Sequence, residues 1–221
     1  YGVDALRWYF FTINGPGEPK RFEEKDVAFR SRGFVATLWN TFVFFDTYVK
    51  KVKNEKRKTK NTNVLDQWLA VKLDALTSEV SVRLNSYDLV GAARAIDEFA
   101  VNDFSQWYVR RSRRRFQRPE TKQELADAAV ATAAALERLC ILSAPFAPFV
   151  TDAIWRGLRK KSGLKEESVH LAAWPSASRK IGEKEKGIID RMTIVRGVVS
   201  EVLKMRAEAG IKVRQPLREL R

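Results

Sequence analysis

Residues 104–118, FSQWYVRRSRRRFQR, set Trp107, Tyr108 and Phe116 among Arg110, Arg111, Arg113, Arg114 and Arg115. Guanidinium groups crowded on one helix repel one another, so the cluster calls for an anionic partner. The flat rings beside them call for a partner with faces as well as charges. Phosphate joined to a base meets both demands. At about 100° per residue, Arg110, Arg111 and Arg114 fall within roughly 60° of Trp107, while Arg113 and Arg115 lie well to either side. One helical face therefore offers an indole followed by three guanidinium groups. A single helix in a bulky bundle suits an exposed loop with unstacked bases better than a duplex groove. Trp107 also continues the apolar series Ala92, Ile96, Phe99 and Ala100, which is a packing role.

Other chemistry finds less support. Cys140 and His170 are the only residues of their kinds, which excludes a disulfide framework and a Cys/His zinc site within this chain. Cys140 sits in the apolar run LERLCILSAPF and reads as a small buried hydrophobe. His170 has no candidate triad partner and reads as structural. The glycines are scattered, and Gly15 and Gly17 stand beside prolines with no following Lys-Ser or Lys-Thr, so no phosphate loop is formed. Neighbouring acids such as Asp97 and Glu98 read as solvated helix-face charge. The residues argue for binding, not bond-making.

Charge agrees with that reading. Across 221 residues, 41 Lys and Arg against 27 Asp and Glu leave a net charge of +14. The isoelectric point near 10.0 is the footprint of a nucleic-acid-binding domain, although an acidic membrane surface would attract the same sign. No apolar run reaches the length of a membrane span, and the start YGVDALRWYFF lacks a signal-peptide charge pattern. A soluble, cytoplasmic protein is expected, with no membrane partner.

The elements that must position these residues follow from apolar spacing. A short helix should open at Val3 or Asp4 with Leu6, Tyr9 and Phe10 on one side, until the Pro and Gly residues of 14–19 break it. A long helix over 23–49 carries Val27, Phe34, Leu38, Phe42, Phe45 and Val49 as one stripe. The link 50–60, KKVKNEKRKTK, reads as a solvated basic loop. A helix over 64–84 should bury Leu65, Trp68, Leu69, Leu73, Leu76, Val80 and Leu84, with Asn63 as N-cap and Asp66 in its first turn. After a turn at 85–88, a third helix runs from Leu89 into the arginine cluster with a bend near Asp103. An Ala-rich helix over 120–142 stops at Ser143-Ala144-Pro145, and a shorter one over 146–160 carries Phe149, Ile154, Trp155 and Leu158. A strand is expected at 168–171, a polar linker at 176–187, a helix at 188–208 ended by Gly210, and an extended tail after it. The sum is an all-α fold, an antiparallel helical bundle with a small mixed α/β junction at its C-terminal side.

Eight motifs in order, YGVDALRWYF, FEEKDVAFRSRGFVATLWNTFVFF, NVLDQWLAVKLDAL, YDLVGAARAIDEF, NDFSQWYVRRSRRRF, LSAPFAPFVTDAIW, SVHLAAWP and AGIKVRQPL, span essentially the whole chain. Together they resemble the C-terminal part of the isoleucyl-tRNA synthetases. Valyl and leucyl enzymes share the helical plan and parts of YGVDALRW and LSAPFAPF, but WYVRRSRRRF with IKVRQPL favours the isoleucyl branch. The resemblance implies a piece that follows the KMSKS loop, with a connector over 1–22, a helical anticodon-binding domain over 23–161 and a C-terminal junction over 162–221. It implies tRNA(Ile) and the parent chain's catalytic and editing domains as partners. No cofactor is expected in this piece; ATP and Mg would serve the parent enzyme, whose HIGH and KMSKS signatures are not in this sequence. The implied tRNA-binding residues are Trp107, Arg110, Arg111, Arg114 and Asn40, with Asn40 matching a polar position on the facing helix. Gln117 departs from the family, which commonly has tryptophan there. The rival readings are a valyl- or leucyl-type anticodon domain and a helical protein-interaction scaffold.

Overall fold

The computed structural model describes residues 1–15, 17–19, 21–52, 63–176, 182–217 and 219. They divide into two compact units, Tyr1–Lys180 and Ile181–Arg221. In the first unit α1 (Val3–Thr12) is followed by α2 (Glu24–Arg30), which runs through widened turns at Ser31–Val35 into α3 (Ala36–Tyr48). Then come α4 (Val64–Asn85) and α5 (Leu89–Glu98). The latter continues through widened turns at Phe99–Val109 into α6 (Arg110–Gln117). The unit is completed by α7 (Lys122–Ser143) and α8 (Pro148–Ser162). The expected 23–49 helix is thus one rod with a widened middle, and the bend expected near Asp103 is an eleven-residue stretch of i→i+5 turns. The basic loop expected over 50–60 lies mostly outside the described residues.

Side-chain caps set the helix starts. Asn63 Oδ1 accepts from the amides of Leu65 (3.0 Å) and Asp66 (3.3 Å). Asp88 Oδ1 accepts from Gly91 N–H at 2.8 Å, and Thr121 Oγ1 from Glu124 N–H at 3.1 Å. The start of α8 is capped from another element: Asp4 of α1 accepts from Val150 N–H at 2.6 Å and Phe149 N–H at 3.4 Å. Gly163, at φ 69°, closes α8 in the left-handed region, where a side chain would be strained.

The core is built on Trp8, which stacks on Phe34 (3.6 Å between centroids, 5° between planes) and meets Phe146 edge-on. Its indole N–H donates to Asp97 Oδ1 at 2.9 Å. Two of the expected faces turn out differently. In α1 the buried side is Ala5, Trp8, Tyr9 and Thr12, whereas Leu6 and Phe10 are exposed. In α8, Ile154, Trp155 and Leu158 are buried, but Phe149 is exposed, because at about 100° per residue it lies on the opposite side of the helix from them. Cys140 is fully buried, and burial pushes its thiol up, as a small core hydrophobe requires.

Instead of the expected strand, Val169–Leu171 forms a single 3-10 turn, and no strand occurs among the described residues. The amide of Val169 and the hydroxyl of Ser168 both donate to Asp152, which fixes this segment on α8 and satisfies it without a pairing partner. In the second unit α9 (Glu183–Glu208) ends with Gly210 at φ 66°. The tail after it is a turn and not an extended strand: the Arg206 guanidinium donates to the carbonyls of Lys212 (2.6 Å) and Gln215.

Candidate nucleic-acid interface

The widened segment Phe99–Val109 decides how the arginine helix is presented. A turn of i→i+5 bonding brings residues four and five apart into line, and Phe99, Phe104 and Tyr108 accordingly stack in series, at 6.4 Å with 13° between planes and then 6.1 Å with 17°. That ring series is buried, and Tyr108 at its end reaches Asp66 of α4. Arg111, four residues after Trp107 and so one turn along the same face, lies over the indole, with Cζ 3.1 Å from the ring centroid. Trp107 is 8% exposed, so the packing role and the place beside the arginines are combined in one residue.

Along α6, Arg110, Arg111, Arg113 and Arg114 are exposed while Ser112, Arg115 and Phe116 are buried. Arg115 is turned inward onto Asp66 of α4, with Nη1 and Nη2 donating at 2.6 and 2.8 Å to the two carboxylate oxygens. Tyr108 donates to the same carboxylate at 2.8 Å. Burial opposes the charge on Arg115, yet the hydrogen bond and charge of Asp66 hold its pKa above the ordinary range. Burial, and then the Asp66 charge, push the Tyr108 phenol well up, so it stays a donor. Arg114 pairs with exposed Glu120 across the turn into α7.

The facing element is α3. Asn40, Phe44 and Tyr48 recur every four residues along it. The Phe44 ring meets Phe116 edge-on at 5.2 Å and lies 5.8 Å from the Arg113 guanidinium, and Gln117 Nε2 donates to the Tyr48 hydroxyl at 3.2 Å. Asn40 is exposed, one turn before Phe44 on the same stripe. The end of α8 is tied to the end of α3 by Lys161, whose Nζ donates to Val49 O at 2.7 Å and pairs with Asp46 at 2.7 Å. Exposed Lys50, Lys51, Arg159 and Lys160 therefore gather at the end of the bundle where α6 also finishes. Arg113, which helical phase put to one side, sits over Phe44 in this face. Phe44 and Tyr48 lie off the apolar stripe that the sequence of α3 displays, and their four-residue spacing from Asn40 is the signal that links them to this face.

Bundle and face together define the class: a helical module with an exposed row of guanidinium groups beside aromatic rings at one end. The chain belongs to the family described as "Anticodon-binding domain of tRNA ligase", whose profile matches residues 66–220. It is similar to the isoleucine–tRNA ligase of Thermus thermophilus, 36% identical over 222 residues, covering 98% of this chain and 21% of that protein. It is similar also to those of Clostridium acetobutylicum (37% over 224 residues, 100% and 21%) and Dehalococcoides mccartyi (38% over 227 residues, 100% and 22%). The chain thus spans only about a fifth of the length of these relatives. Its fold resembles that of a chain in the crystal structure of the ternary complex of Agrobacterium radiobacter K84 agnB2 LeuRS with tRNA and LeuAMS. The TM-score is 0.54 at 19% identity, over 86% of this chain and 20% of that one.

Proposed function

We propose that this chain is the part of an isoleucine–tRNA ligase that grips the anticodon side of tRNA(Ile). The observation that carries the reading is the exposed row Arg110, Arg111, Arg113 and Arg114 beside α3, with Arg111 over buried Trp107 and Arg113 over half-buried Phe44. Arg110 and Arg114 meet phosphates, Arg111 acts with Trp107 beneath it, and Asn40 meets the RNA from the facing helix. Residues 1–22 connect to the catalytic domain, 23–161 form the anticodon-binding bundle, and 162–221 form the C-terminal junction.

The whole enzyme attaches isoleucine to tRNA(Ile) in the cytoplasm, with ATP and Mg bound in its catalytic domain and an editing domain as a further partner in the same chain. The names of the relatives support the isoleucyl branch. Among the described residues no helix is long and apolar enough to cross a membrane. The test pairs two assays. The isolated chain binds tRNA(Ile) on filters but gives no isoleucine-dependent ATP–pyrophosphate exchange until the catalytic domain is supplied. Exchange by the isolated chain would overturn the assignment of a binding role.

A further inference from the structure

We propose that Arg111, not Trp107, is the platform on which an unpaired base of the bound RNA stacks, and that Trp107 is its positioning residue. This rests on the tRNA-binding reading above and deepens it. Three observations carry it. The Arg111 Cζ stands 3.1 Å from the Trp107 ring centroid. The guanidinium nitrogens lie about 1.3 Å from that carbon, as in any C–N bond with partial double character, so a tilted group would drive a nitrogen into the ring. The guanidinium therefore lies flat on the indole. Trp107 is 8% exposed under this cover, while Arg111 is exposed.

A base arriving at this site meets the outer face of the guanidinium before it meets the indole. Guanidinium planes stack on nucleobases as aromatic rings do, and Arg is weakly hydrated, so that face gives up water readily. The indole beneath holds the long side chain in a single orientation in advance, which reduces the rotamer freedom lost on binding. The ring fixed by the bundle core and the exposed guanidinium thus form one two-layer stack. Arg110 and Arg114, on either side of it along α6, remain for phosphates.

The two roles of a guanidinium separate in a charge-conserving variant. Arg111→Lys keeps the positive charge and removes the plane. The probe is a tRNA(Ile) anticodon stem-loop carrying 2-aminopurine in the loop, titrated at several salt concentrations, with circular dichroism confirming that the variant is folded. On the proposal, Arg111→Lys weakens binding at least about fivefold, the lower range for a stacked base, with the salt slope unchanged and the quenching of one 2-aminopurine lost. If Arg111 only meets a phosphate, Arg111→Lys binds as wild type with quenching intact, and that overturns the proposal. Failure of the wild-type chain to bind the stem-loop at any salt would instead sink the tRNA reading itself. Trp107→Leu adds the positioning test: the platform account expects partial loss of quenching with the salt slope kept, and full wild-type quenching contradicts it.

Discussion

Asp66 and Arg115, 49 residues apart, form a bidentate pair with side chains 2% and 7% exposed, and this pair locks the arginine helix to α4. It withdraws one guanidinium from the cluster to orient the others. Replacing Arg115 by Met removes the bidentate cation from the buried Asp66 carboxylate, and a loss of about 3–5 kcal/mol in denaturant unfolding is expected. Asp66→Leu combined with Arg115→Met should recover part of it, since neither charge then remains, while the buried Tyr108 hydroxyl loses its acceptor. The salt dependence of tRNA binding by folded Arg115→Met should match wild type. A reduced slope would show that Arg115 reaches phosphate.

Arg110 and Arg114 are exposed and placed for phosphates, so each Ala variant should lower the slope of log K against log salt by about 0.7–0.9. Arg114 starts from a pair with Glu120, whose side chain is 68% exposed. Such surface pairs are weak, yet Glu120 competes with phosphate for the same guanidinium. Glu120→Gln should therefore tighten tRNA binding a few-fold, and unchanged or weaker binding would place Arg114 outside the contact face.

The long helices were legible because burial repeats at helical spacing: Val27, Phe34, Leu38, Phe42, Phe45 and Val49 are all buried. Asn63 and Gly210 marked ends through local chemistry, which sequence carries directly. The inward turn of Arg115 was not legible, since its partner Asp66 comes near only through the packing of α4 and α6. Of the widened turns at Phe99–Val109 only a bend near Asp103 was legible, since i→i+5 bonding has no local residue signature here. The place of Arg111 over Trp107 was legible, because a four-residue spacing puts the two on one helical face, one turn apart.

Helix α8 meets α3 at Gly157. A Cβ added there would come within 2.2 Å of Phe42 Cζ, and Phe42 is itself buried. Gly157→Ala should cost about 1–3 kcal/mol by overpacking, seen as a lower denaturation midpoint. Phe42→Leu in the same chain should restore part of it.

Asp97 supplies a pH dependence. Burial raises its pKa, against the Trp8 N–H and the Arg30 charge, which lower it. The folded chain holds this proton more tightly than the unfolded one. The associated stability is therefore full below the ordinary carboxylate range and is lost as pH rises through the raised value. Asp97→Asn keeps an acceptor for Trp8, so it should raise the melting temperature at pH 7, with the difference shrinking toward zero in acid. An Asn variant less stable at pH 7 would mean that the Arg30 charge outweighs burial.

The most direct test of the central claim is a filter-binding titration of tRNA(Ile) against salt, with its isolated anticodon stem-loop and acceptor arm as competitors. The account predicts a steep linear fall of log K with log salt, displacement by the anticodon stem-loop, and little displacement by the acceptor arm. A flat salt dependence, or equal displacement by both arms, would contradict it.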